Sequence, residues 1–172
     1  MTAAITRLTA AGARAEIDQF VALLADTVNQ GSSVGFLRPM DASIAHAYWE
    51  EVFAAVAGGN RILLAARIGD ATVGSVQLDL AMRPNGRHRA EVQKLIVLSS
   101  HRRKGIASDL MDAIEGEART AARTLLVLDT EVGSGAEPFY ESMRWQRVGS
   151  IPDFALNTDG VPTPNVIYYK ML

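Results

Sequence analysis

The stretch from His88 to Met111 reads HRAEVQKLIVLSSHRRKGIASDLM, the pattern of a strand, a basic turn and the opening of a helix. Within the turn, Arg102, Arg103, Lys104, Gly105, Ile106 and Ala107 follow the form Arg/Gln-x-x-Gly-x-Gly/Ala. A helix opens on backbone N–H groups that have no partner of their own, and its dipole favours an anion there. Gly105 lets the backbone approach a bound group closely, and Ala107 keeps the next turn free of bulk. His101, Arg102, Arg103 and Lys104 bring positive charge to the same spot, so the segment is suited to a diphosphate. Two carboxylates stand near it in the sequence order. Glu91 lies four residues before Leu95, and Asp129 ends the apolar run Leu125-Leu126-Val127-Leu128. A carboxylate closing a buried strand either caps the following loop or accepts a proton in a reaction.

These groups need elements to hold them. Residues 91–97 are rich in aliphatic and β-branched side chains and read as a strand. Downstream, Ile106, Leu110, Ile114 and Ala118 recur at helical spacing, with Met111 widening the stripe. Upstream, residues 4–8 form a first strand, and residues 16–30 a helix carrying Ile17, Phe20, Leu24 and Val28. Residues 31–39, GSSVGFLRP, are a loop by composition. Ser43 is the expected N-cap of a second helix that runs to about residue 57. A hairpin follows, residues 61–68 and 72–80 joined at Gly69-Asp70. Residues 125–129 read as a strand inside a covered sheet and residues 136–143 as a short helix. Residues 145–148 and 166–171 close the chain as strands, with a Pro/Gly/Asp-rich excursion over 152–164. The expected order is β-α-α-β-β-β-α-β-α-β-β. It is an α/β fold in one domain, residues 1–172, with a mixed, mostly antiparallel sheet.

Composition limits the chemistry. A chain of 172 residues that is 48% apolar suits one domain with a substantial core. Its formal net charge of −2 argues against a general nucleic-acid binder, so the basic turn is a local feature. With no cysteine, disulfides, thiol nucleophiles and thiolate metal sites are excluded. His46, His88 and His101 are scattered without ligand spacing, and no metal is expected. The first residues lack the apolar core of a signal peptide and no apolar run approaches a membrane span, so the cytoplasm is the expected location. Gly133-Ser134-Gly135 lacks the third glycine of a dinucleotide fingerprint.

On the motif at residues 102–107 and this order of elements, the sequence resembles the GNAT superfamily of acetyl-coenzyme A-dependent N-acetyltransferases. The resemblance implies helices on both faces of the sheet and acetyl-CoA as co-substrate. It implies that the main chain of Leu95, Ile96 and Val97 pairs with the pantetheine arm. The backbone amides of Arg103, Lys104, Gly105, Ile106, Ala107 and Ser108 would bind the pyrophosphate, with Arg102 at the first position of the motif. It also implies that Glu91 and Asp129 take a proton from the acceptor amine, and that Tyr140 protonates the departing thiolate. The loop with Ser33, Phe36 and Arg38 would cover the acceptor. One position departs from the family's pattern: Arg144 stands where glycine usually precedes the aromatic that starts the next strand. If that position needs φ > 0, arginine costs on the order of 1 kcal/mol.

The segments GSSVGFLRP, HRAEVQKLIVL and LLVLDT are similar to the branch that includes the tabtoxin-resistance acetyltransferases. The function this implies is acetyl transfer to a primary amine on a small molecule, with a toxin or antibiotic among the candidates. The alternatives are acetylation of a protein N-terminus or lysine, or a non-catalytic acyl-CoA-binding module. Nucleic acid and membrane are not expected as partners; a homodimer is left open.

Overall fold

Side-chain alternation along β2 (Arg61–Ile68) decides the layering. Ile62, Leu64 and Ala66 fall on one face, and Leu63 and Ala65 on the other, and all are buried. A strand covered on both faces reads as a continuous apolar run, which is what RILLAARI shows. The computed structural model describes residues 3–172. Its strands are β1 (Ala4–Arg7), β2, β3 (Ala71–Leu80), β4 (Arg89–Val97), β5 (Leu125–Glu131), β6 (Gln146–Leu156) and β7 (Pro162–Met171). They form one seven-stranded sheet in the order β1-β2-β3-β4-β5-β7-β6. Among the described residues only the β4–β5 pair is parallel.

The helices are α1 (Ala10–Arg14), α2 (Ile17–Asn29), α3 (Ala42–Ala57), α4 (Ile106–Thr120) and α5 (Ala136–Ser142). Phe20 and Leu24 of α2, with Trp49 and Phe53 of α3, cover one face of the sheet together with Leu63 and Ile96. Leu110, Met111 and Ile114 of α4 cover the other, with Leu64, Val92 and Leu126. The molecule is thus a single α/β domain with a mostly antiparallel sheet between two helical layers. Among the described residues no helix is long and apolar enough to cross a membrane.

Three local expectations need correction. The short helix α1 precedes α2, started by Thr9, whose hydroxyl accepts from Gly12 N at 3.1 Å. Five residues are too few to show an apolar period. The N-cap of α3 is Asp41, not Ser43: Asp41 Oδ1 accepts from Ser43 N at 2.7 Å and Ile44 N at 3.3 Å. The ionised carboxylate outcompetes the hydroxyl, which itself donates to Asp41 at 2.6 Å. The excursion expected over 152–164 is instead a long hairpin of β6 and β7. Pro152 is accommodated because β6 is an edge strand whose register shifts between Ile151 and Ala155, with Asp153 at φ +49°.

Two irregularities of β4 shape the middle of the sheet. Its pairing with β5 is confined to Arg89–Leu125, Ala90–Leu126 and Glu91–Val127, after which the strands part. On its other side, Gln93 lies opposite Gln77 and Ile96 opposite Ser75, so β4 carries an extra residue there. Lys94 sits in that bulge at φ +50°. The β3 and β4 backbones approach so closely that a Cβ on Gly74 would lie 3.0 Å from the Ile96 carbonyl oxygen.

Candidate active site

The basic turn and α4 form an uncapped helix start. Gly105 occupies the N-cap at φ +83° and offers no side chain to the first turn. Among the described residues, none of the backbone N–H groups from Arg103 to Ser108 donates to an internal acceptor. A Cβ added at Gly105 would meet nothing within 4 Å, so the left-handed backbone, not internal crowding, requires glycine. Ile106, 4% exposed, anchors the helix start in the α4-side core, with Ala107 packed at its margin and Ser108 half-buried. Arg103 and Lys104 are exposed. The Lys104 ammonium donates to Ser100 O at 3.1 Å. Arg102 turns back along the chain, donating to Val97 O at 3.3 Å and Ser32 Oγ at 3.4 Å. It ties the turn both to the end of β4 and to the loop after α2.

Next to this turn lies the gap where β4 and β5 part. Ile96 is buried on the α2–α3 face, Val97 on the α4 face, and Leu95 packs at the edge of the α4-side core. Their side chains are committed to packing. The β4 edge toward β5 is left without a strand partner past Glu91, as an extended ligand pairing through its main chain would need.

Alternation also fixes where the carboxylates point. Ala90, Val92, Leu126 and Leu128 belong to the α4-side core, so Glu91 on β4 and Asp129 on β5 face the α2–α3 side together. Glu91 is half-buried and accepts from Gln93 Nε2 at 2.9 Å. Asp129 is exposed and accepts from Asn165 Nδ2 at 2.6 Å.

Sequence reasoning passed over Lys94, which it read as one residue of a regular strand. The bulge turns it to the same region, where its ammonium lies 6.0 Å from the Phe36 ring centroid and 5.9 Å from that of Tyr48. Burial holds its pKa below the ordinary lysine value; Asp129 opposes the depression, Arg61 adds to it and Glu91 opposes it. A single cation inside the strand run EVQKLIV was the available signal. Tyr48 exchanges hydrogen bonds with Gln77, and burial pushes its hydroxyl up to about 12.

The loop of Ser33, Phe36 and Arg38 divides. Phe36 stacks edge-on against Tyr48 at 5.1 Å and so borders the carboxylate face. Ser33 is half-buried. The Arg38 guanidinium is taken up by Asp159 at 2.6 and 2.8 Å, joining the loop to the β6–β7 turn.

Tyr140 lies 8% exposed among Phe139, Trp145 and Tyr168. Burial raises its pKa far above the ordinary tyrosine value, and the Asp129 carboxylate adds to the shift, so the hydroxyl keeps its proton. The helix behind it ends in a Schellman motif: Trp145 N donates to Tyr140 O at 3.0 Å and Arg144 N to Glu141 O at 2.9 Å. Arg144 holds φ +64°, the conformation in which glycine was expected. The turn is kept and arginine bears the strain. Arg144→Gly is therefore expected to raise the unfolding free energy by about 1 kcal/mol, read as a higher denaturant midpoint at unchanged slope.

Among the described residues no three His, Asp or Glu side chains gather as a metal site. The sequence matches the family described as Acetyltransferase (GNAT) domain over residues 27–155. It is 28% identical over 146 residues to an uncharacterised N-acetyltransferase in the hisH-hisA intergenic region of Azospirillum brasilense, covering 76% of this chain and 85% of that one. In fold it is similar to a ribosomal-protein-alanine N-acetyltransferase from Brucella melitensis, with a TM-score of 0.78 at 21% identity, covering 98% of this chain and 99% of the other. It is also similar to yncA from Salmonella typhimurium, solved with its cofactor acetyl-CoA, with a TM-score of 0.75 at 16% identity over 100% of this chain and 95% of that one.

Proposed function

The chain belongs to the GNAT acetyltransferase family, and from that premise we propose that it moves the acetyl group of acetyl-CoA directly to a primary amine on a small molecule. When bound, acetyl-CoA supplies an acyl thioester. The residues present fit it: the free N–H groups of Arg103 to Ser108 would hold the pyrophosphate, and the open β4 edge at Leu95 to Val97 the pantetheine arm. Arg102 braces that turn against β4. The observation that carries the reading is the convergence of Glu91 and Asp129 on one face where β4 and β5 separate.

An alkylamine with a pKa of about 10 is protonated at neutral pH and does not attack until that proton leaves. Glu91 and Asp129 accept it at a carboxylate oxygen, directly or through water, and attract the cationic acceptor beforehand. The Tyr140 hydroxyl holds a proton for the leaving sulfur. Without cysteine, the chain offers no thiol for an acyl-enzyme, and the transfer is direct. Within the family we read the chain as similar to the tabtoxin-resistance type, on the segments GSSVGFLRP, HRAEVQKLIVL and LLVLDT.

Thiol release from acetyl-CoA, measured across small amines and across peptides with free N-termini or lysines, tests the reading. Small amines are expected to accelerate release; acceleration by peptides alone would replace the acceptor class. Tyr140→Phe is expected to slow thiol release by at most about 100-fold, the low end of general-acid effects, at nearly unchanged acetyl-CoA affinity. Full activity in that variant would reduce Tyr140 to a packing residue.

A further inference from the structure

We propose that Lys94 recognises a carboxylate on the acceptor, so that the substrate class is an amino-acid-like zwitterion whose amine faces Glu91 and Asp129 while its acid faces Lys94. The inference rests on the acetyl-transfer reading above and narrows its acceptor.

An ammonium has three donors and no acceptor, and one that no protein group fills is open to an acidic ligand. Among the described residues Lys94 makes no hydrogen bond and no ion pair, although two carboxylates share its face of the sheet. Both are engaged elsewhere, Glu91 with Gln93 and Asp129 with Asn165. The other cation nearby is matched: Arg61 lies 3.4 Å from Asp79 and donates to Gln77 at 3.0 Å. The faces of Phe36 and Tyr48 attract Lys94 but accept no N–H bond at about 6 Å.

Local backbone holds the ammonium there. The extra residue of the β4 bulge puts Lys94 at φ +50°, beside Gln93 and Glu91. Gly35 leaves it room, since a Cβ at that position would lie 3.4 Å from Nζ. A site holding acids at one point and an unfilled cation at another is complementary to a molecule that carries both charges. Such a site discriminates by what is left unpaired when the ligand lacks one of them.

Initial rates with free amino acids and with their carboxamides test this. The carboxamide keeps the amine and the shape and removes the negative charge. It also has the less basic amine, so a preference for the free acid cannot arise from easier deprotonation. The wild-type enzyme is expected to favour the free acid in kcat/KM by about 10- to 100-fold, the range of a hydrogen bond between charged groups. In Lys94→Gln the KM for the free acid rises and the preference collapses toward one, while Lys94→Arg, which keeps the charge, retains part of it. Equal use of acids and amides by the wild type, or an undiminished preference in Lys94→Gln, overturns the role of Lys94 and leaves acetyl transfer to amines standing. Acetyl-CoA binding with neither kind acetylated overturns the zwitterion alone if other small amines are acetylated, and both readings if no small amine is.

Discussion

Gly105→Val is expected to raise the dissociation constant of acetyl-CoA by at least about tenfold while the protein stays folded. The left-handed conformation at φ +83° costs an L-residue about 1–2 kcal/mol, and 1.4 kcal/mol is tenfold in binding if the loop must hold that shape to bind. Valine is branched at Cβ and is stiffer still. A Cβ at this position meets nothing within 4 Å inside the protein, so the added bulk stands in the open space beside the turn. The damage falls on the ligand more than on the fold. Gly105→Ala separates the two contributions, because it carries the strain with less bulk. Calorimetric titration measures both variants; unchanged affinity in a folded Gly105→Val protein removes the pyrophosphate site from this turn.

Replacing both Glu91 and Asp129 by their amides is expected to lower kcat/KM by about 10²–10⁴-fold, with acetyl-CoA affinity nearly unchanged. Amides preserve shape and cannot accept the proton. The two acids share a face and lie within electrostatic reach of one half-buried lysine, so each is positioned to cover for the other. Single variants are then mild and the double variant is worse than the sum. If both Glu91→Gln and Asp129→Asn keep wild-type rates and the double variant does too, the proton goes elsewhere.

Much of this architecture is legible in the residues because it depends on local rules. The spacing of Ile106, Leu110, Ile114 and Ala118 marks α4, and Gly69-Asp70 marks the β2–β3 turn. The run RRKGIA marks the uncapped helix start, since a glycine N-cap and a basic turn are written into the chain itself. What was not legible depends on strands distant in sequence. Nothing in HRAEVQKLIV shows that Gln93 and Ile96 will be paired two residues apart on β3, so neither the bulge nor the exposure of Lys94 to the carboxylates could be read. Pro152, Asp153, Pro162 and Pro164 look like loop residues, and only the edge position of β6 makes the hairpin tolerable there. The ion pair of Arg38 with Asp159 joins residues 121 positions apart, so it could not be read from the loop alone. Arg144 is the reverse case: the residue type argued against the turn, and the backbone made it anyway.

The most direct test is to identify the product. Purified protein is incubated with acetyl-CoA and a mixture of small amines, and each amine is followed by mass spectrometry together with free thiol. The account predicts that thiol appears in step with one acetyl group on an amine nitrogen of a small molecule, and that the Glu91→Gln/Asp129→Asn protein forms it far more slowly. Acetyl-CoA bound at the Gly105 turn with no amine acetylated, or a product formed as fast without both carboxylates, would contradict it.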